Sequence, residues 1–172
     1  TSAGRNARSI TTNWKGRKIM NTIVISWQDI PEATWGSAVE PFLQAALTQL
    51  EHTNWDVSVV FCGDTFIHEL NKTYRHIDGP TDVLSFEQGD EYFDEAGETR
   101  FMAGDIVISL DSLRFNAEEF NVEINEELKR LIVHGILHLN GMDHSDNSPE
   151  QEMLKFQEEL LVQYKNMEIY RV

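Results

Sequence analysis

Apolar positions along this 172-residue chain recur at two periods. Thr22 to Trp27 alternates and is β-branched, which predicts a strand. Trp55 to Cys62 predicts a second, with Val57, Val59 and Phe61 on one face. The Gly79-Pro80 break precedes a short third strand, Asp82 to Phe86, and Ala103 to Leu110 predicts a fourth. Helical spacing covers residues 37–51 through Val39, Phe42, Leu43, Ala46, Leu47 and Leu50. It returns in Thr65 to Tyr74 behind a Gly63-Asp64 cap, with Phe66, Ile67 and Leu70 inward. A further helix runs from Asp111 to about Phe120. The main helix spans 126–140 behind an Asn125 cap, with Leu128, Leu131, Ile132 and Leu139 toward the core. Ser148-Pro149-Glu150-Gln151 reads as a capping box with Pro at the first position of a last helix, which ends near Lys165.

The order β-α-β-α-β-β-α-α-α predicts an α+β fold: a mixed, about four-stranded sheet packed with about five helices. Residues 88–100 hold two Gly and five Asp or Glu and read as an acidic loop. Residues 1–19 are polar and without period. They are expected to be a disordered leader or expression-derived segment, a targeting remnant being the alternative. Residues 20–172 then form a single domain.

Charge complicates the picture. The formal net charge is −15, yet residues 1–19 carry five basic residues and no acidic one. Residues 20–172 therefore hold 9 basic and 29 acidic residues, a net of −20. Such a surface repels phosphate backbones at long range, so composition alone argues against a nucleic-acid partner, although a local basic cleft can still bind one. Cys62 is alone, which excludes an intrachain disulfide and a Cys-rich zinc site and suits a reducing cytoplasm. No apolar stretch is long enough to cross a membrane.

The candidate chemistry lies in His134-Gly135-Ile136-Leu137-His138-Leu139-Asn140-Gly141-Met142-Asp143-His144. His134 and His138 share a helical face, and Gly141 can end the helix at positive φ and turn His144 back toward them. Three imidazoles then offer themselves to one metal. A catalytic zinc takes three protein ligands and leaves a position open, where water becomes acidic enough to react near pH 7. A packed core histidine is the ordinary alternative for one such residue; three at H-x3-H-x5-H with the glycine are hard to explain that way. The spacing also matches the metzincin protease pattern, but Gly135 stands where those enzymes carry their general-base Glu, which weighs against a peptidase.

The eleven-residue stretch resembles the signature of the YbeY endoribonucleases. Two other stretches agree: Leu70-Asn71-x-x-Tyr74-Arg75-x-x-Asp78-x-Pro80-Thr81-Asp82-Val83-Leu84-Ser85-Phe86, and Gly104-Asp105-Ile106-Val107-Ile108-Ser109. Met142 departs, standing where the family commonly has Tyr. The resemblance implies a single-strand-specific, zinc-dependent endoribonuclease with one Zn2+ per chain on His134, His138 and His144, and with Arg75 functionally important in a cleft. It further implies action on ribosomal RNA, notably the small-subunit 3′ end, in maturation and quality control. Implied partners are the small ribosomal subunit and assembly factors, with no DNA and no membrane. A metzincin-like zinc hydrolase and a non-catalytic assembly factor are the competing readings.

Other residues are read from their chemistry. Arg75 either clamps a phosphate or makes a surface ion pair. Asp82 and Asp105 either accept from histidine N–H groups or stabilise strand entries. Asp143 either orients a ligand or ends the helix. His68 and His76 read as surface residues and His52 as a helix-end residue. Tyr74 and Phe86 offer faces to bases, core packing being the better account of Phe86. The nucleophile is either a water or a ribose 2′-OH.

Overall fold

The computed structural model describes residues 20–171; the expected leader at 1–19 lies outside them. Four strands, β1 (Thr22–Trp27), β2 (Trp55–Cys62), β3 (Val83–Phe93) and β4 (Thr99–Ser109), form one sheet in the order β1-β2-β4-β3. The first two pairings are parallel, and β3 runs antiparallel to β4 at the edge. The helices are α1 (Val39–Gln49), α2 (Asp64–Arg75), α3 (Leu110–Glu119), α4 (Ile124–Leu139) and α5 (Glu152–Gln163). This is the expected α+β arrangement. A 3-10 turn, Thr34–Ala38, precedes α1. Among the described residues no helix is long and apolar enough to cross a membrane.

Alternation along the strands divides the core. Val57, Val59, Phe61, Ile106 and Ile108 point to the face covered by α1, α4 and α5. Cys62, Leu84 and Val107 point to the other, where Ile67 of α2 meets them. The buried helix α4 is the spine of the larger core, with Leu128, Ile132, Val133, Ile136 and Leu137 sealed from solvent. On its flank the buried Lys129 ammonium donates to the Tyr164 carbonyl at 2.9 Å and pairs with Glu126 at 2.6 Å, so α4 caps the open end of α5.

Three expectations are corrected. The acidic stretch 88–100 is not a loop: most of it forms the outer half of a β3–β4 hairpin closed by residues 94–98. Asn125 does not cap α4, whose N-cap is Glu123. The Asn125 side chain instead accepts from the Ile169 and Tyr170 amides and donates to the Met167 carbonyl, anchoring the C-terminal segment. The capping box at 148–151 does not form either. Helix α5 starts at Glu152 behind Gln151, and Ser148 Oγ accepts from the Glu150 amide within the preceding turn.

The hairpin is tied across the sheet. Arg100 on β4 pairs with Asp56 on β2 and donates to Thr22 on β1 at 2.7 Å, while Tyr92 on β3 also donates to Asp56. Burial works to raise the Asp56 carboxyl, but the bonds from Arg100, Tyr92 and Thr22 together with the Arg100 charge outweigh it and hold the group below its ordinary 3.8. The folded state therefore binds its proton less readily than the unfolded chain. The stabilisation is present above pH 3.8 and disappears as pH falls through the folded value. Urea unfolding at pH 5 and pH 3 should show a smaller loss in Asp56→Asn than in wild type. An equal loss would mean that this cluster does not shape the acid limb.

Candidate metal centre

The end of α4 builds the centre. Asn140 closes the helix and Gly141 follows at φ +81°, with its amide on the His138 carbonyl and the Met142 amide on the Leu137 carbonyl. This paired bonding is a Schellman motif, which needs a residue tolerant of positive φ at that place and favours an apolar one after it. Met142 fills the second role by packing against the main core, so its side chain serves the turn. The chain then reverses. Asp143 Oδ1 accepts from the His144 amide at 2.8 Å and Asp146 Oδ1 from the Ser148 amide at 2.7 Å, bracing the return.

The three histidines meet there. One donor atom from each of His134, His138 and His144 lies within 4.8 Å of the others. Each Nδ1 is engaged from outside the cluster: His134 with Gln157 Oε1 at 2.8 Å, His138 with the Met142 carbonyl at 3.1 Å, and His144 with the Asp146 carbonyl at 2.8 Å. A carbonyl only accepts, so Nδ1 of His138 and of His144 carries a proton, and in the neutral ring Nε2 is then the nitrogen that presents a lone pair. Nε2 of His138 and Nε2 of His134 face each other at 3.0 Å. Tetrahedral zinc with bonds of about 2.0–2.1 Å spaces its nitrogens by roughly 3.3 Å, close to what is found. Burial pushes His134 and His138 below their ordinary 6.5, which keeps both rings neutral and able to donate lone pairs. Among the described residues no fourth His, Cys, Asp or Glu joins the group. The donor set therefore fits one metal ion with a position left open.

A cleft of about 1170 Å³ surrounds the group, lined on one side by Val83, Ser85 and Glu87 of β3 and on the other by Glu127, Arg130 and Leu131 of α4. Arg75, Thr81 and Asp82 also line it. Arg75 is the last residue of α2, and His76 adopts a left-handed conformation that ends the helix there. Asn71 donates to the Gly79 carbonyl at 2.8 Å, and Asp78 meets His68 at 2.7 Å and Lys72 at 3.6 Å, so the turn after Arg75 is pinned to its own helix. Arg75 itself makes no ion pair or side-chain hydrogen bond among the described residues, which weighs against the surface salt-bridge alternative. Its charge is near enough to oppose protonation of His134.

The carboxylates fall elsewhere. Asp82 lines the cleft but accepts from the Val83 amide at 2.8 Å and from Asn116 at 3.0 Å, so it fixes the entry of β3. Asp105 pairs with Phe86, on the sheet face opposite the one where Ile106 meets α4. Neither accepts from a histidine. His52 bonds to Asn140 at 2.7 Å and stacks on Trp55, away from the cluster. Among the cleft residues that escaped the sequence reading are Gln157, Arg130 and Phe120, the last 66% exposed at the end of α3. Gln157 and Arg130 are brought together only by the packing of α5 on α4, which no local spacing signals.

Gly135 proves to be more than a missing carboxylate. A Cβ there would lie 2.7 Å from Cγ2 of Ile106 and 2.9 Å from its Cγ1 and Cδ1. The helix that carries the histidines rests on β4 at that point, with no room for any side chain.

A sequence profile of the family described as Endoribonuclease YbeY matches residues 22–165. A protein of that name from Treponema denticola is 76% identical over 153 residues, which are 88% of this chain and 99% of that one. A namesake from Treponema pallidum is 52% identical over 145 residues, 84% of this chain and 91% of that one. The solution structure of a Thermotoga maritima protein superposes with a TM-score of 0.60 at 27% identity, covering 84% of this chain and 91% of its own. The profile takes in all three motifs together with the strands and helices that set them around the cleft, and this chain belongs to the YbeY endoribonuclease family.

Proposed function

We propose that this protein is a zinc-dependent endoribonuclease that cuts single-stranded RNA, with His134, His138 and His144 holding one Zn2+ and Arg75 serving the reacting phosphate. The observation that supports the reading is the convergence of three histidine donor atoms in a cleft also lined by Arg75, whose guanidinium has no ion-pair partner among the described residues. Bound there, the metal would supply Lewis-acid charge beside a phosphodiester. Arg75 grips two phosphate oxygens through parallel hydrogen bonds and stabilises the charge that grows on them. Arg130 is unsuited to that task, since Glu127 at 3.0 Å and Glu158 at 2.9 Å already hold it. Phe120 presents its ring at the rim, where an unpaired base can stack and a paired one cannot. Ribosomal RNA in the cytoplasm, met on the small subunit with its assembly factors, is the substrate setting that the family resemblance supports.

A peptidase reading loses ground on the Gly135–Ile106 contact, because a general-base Glu has no space at that position. The test is incubation of wild type, His138→Ala and Arg75→Glu with single-stranded RNA, duplex RNA and a protein substrate. Wild type should cut only the single strand. Arg75→Glu should keep its zinc and lose cleavage by roughly 100-fold or more, the scale on which loss of a transition-state charge donor is felt. Full activity in Arg75→Glu would remove that residue from the mechanism, and cleavage of the protein substrate would overturn the assignment.

A further inference from the structure

We infer that Gln157 is the positioning residue that fixes the tautomer of His134, and that Arg130 and Glu158 fix Gln157 in turn. This rests on the proposed metal site and explains why one of its ligands points the right way. His138 and His144 need no such help. Their Nδ1 protons go to backbone carbonyls two to four residues away, acceptors that the turn itself supplies. His134 sits one turn earlier on α4, where the backbone carbonyls are spent within the helix, and takes its partner from another helix.

An amide can offer either an acceptor or a donor, so contact with Gln157 does not by itself choose a tautomer. Glu158 makes the choice. Gln157 Nε2 lies 3.4 Å from Glu158 Oε1, and an ionised carboxylate accepts only. Turning the amide over would set two oxygens against each other. The NH2 group therefore faces Glu158 and the Oε1 faces His134, whose Nδ1 must carry the proton. Nε2 is left as a lone pair, aimed at Nε2 of His138.

Arg130 holds the carboxylate that makes this choice. Its Nε and Nη2 reach the two Glu158 oxygens at 2.9 and 3.4 Å, and its Nη1 reaches Glu127 at 3.0 Å. Gln157 is only 5% exposed, so little of its amide is open to solvent. Helix α5 thus acts on the centre without contributing a ligand. Partners of this kind set ring orientation and raise ligand basicity, and their removal costs metal affinity.

The experiment joins two measurements. Zinc affinity is taken by competition with a chromophoric chelator for wild type, Gln157→Met and Glu158→Met. The tautomer of His134 is read from the ring 15N shifts of the metal-free proteins. Gln157→Met should bind zinc about 10–100-fold more weakly, and its His134 should populate the Nε2–H form. Glu158→Met frees the amide to turn over and should give a mixture of tautomers with a smaller loss of affinity; it carries the test if Gln157→Met does not fold. Zinc affinity in Gln157→Met within about threefold of wild type, well under the loss expected for such a partner, would overturn the inference. So would an Nε2–H form of His134 in the wild type, or an unchanged tautomer in Glu158→Met. Wild type that takes up no zinc would defeat the metal reading instead, and the ring shifts would still decide the role of Gln157.

Discussion

His138→Ala is expected to purify without stoichiometric zinc and to lose RNA cleavage by more than ~100-fold, the upper end of what removal of a mere orienting partner costs. Wild type should carry about one zinc per chain, as a centre of three protein ligands and an open position implies. His138 is the middle one of the three proposed ligands, on the same face as His134 and next to the turn that returns His144. Its loss leaves two imidazoles that do not define a coordination face. The ring is only partly buried, and the Met142 carbonyl that it releases sits at the surface turn, where water can replace it. The variant should therefore melt within a few degrees of metal-free wild type, a shift worth about 1 kcal/mol for a protein of this size. Metal analysis, melting and a gel of cleaved single-stranded RNA read the three parts separately. Zinc retained by His138→Ala at the wild-type level would sink the three-histidine centre. A collapse in melting temperature with the metal already absent would recast His138 as a structural residue.

The second large effect is expected from Gly135, and it concerns folding before chemistry. In Gly135→Ala the new methyl would sit 2.7–2.9 Å from three atoms of the Ile106 side chain. Two of these are bonded directly to Ile106 Cβ and cannot swing aside as the tip of a long chain would. Overpacking of a tight core costs about 1–3 kcal/mol, against a total stability of about 5–15 kcal/mol. Gly135→Glu adds a charge with no partner to the same crowded contact, and should leave little folded protein. Ile106→Ala alone opens a cavity and should cost about 2–5 kcal/mol. The pair should be less damaging than the separate losses predict, because each change makes room for the other. A coupling of at least about 1 kcal/mol in urea unfolding is the expected signature. Strict additivity would mean that α4 and β4 do not meet through this contact.

The histidine cluster was legible because everything that forms it is local. The three histidines, the glycine turn and the helix phase all lie between residues 134 and 144. Arg75 was legible as a candidate, but only the folded chain shows that it pairs with no acid among the described residues. Gln157 was invisible for the opposite reason. It lies 23 residues from His134 and acts through the packing of two helices. The hairpin was hidden by its position. Beyond Glu87 both faces of β3 are exposed, and a shift in register between Glu87 and Asp90 breaks the alternation, so polar residues fill consecutive positions and period two disappears. Asn125 looked like a cap because nothing near it in sequence announces that Ile169 and Tyr170 need its oxygen.

All three proposed ligands fall within one eleven-residue stretch, and that closeness limits what the metal can do for the fold. Closing so short a segment removes little freedom from an unfolded chain, far less than tying together distant parts of the sequence would. The same three imidazoles can also gather round an ion while the rest of the chain is unfolded. A cation that binds both states favours the folded one only by the difference. What distinguishes the folded site is supplied by the fixed turn and by α5. Zinc is therefore expected to act here as a reactive tenant of a scaffold that already stands, and its removal should silence the protein well before it unfolds it.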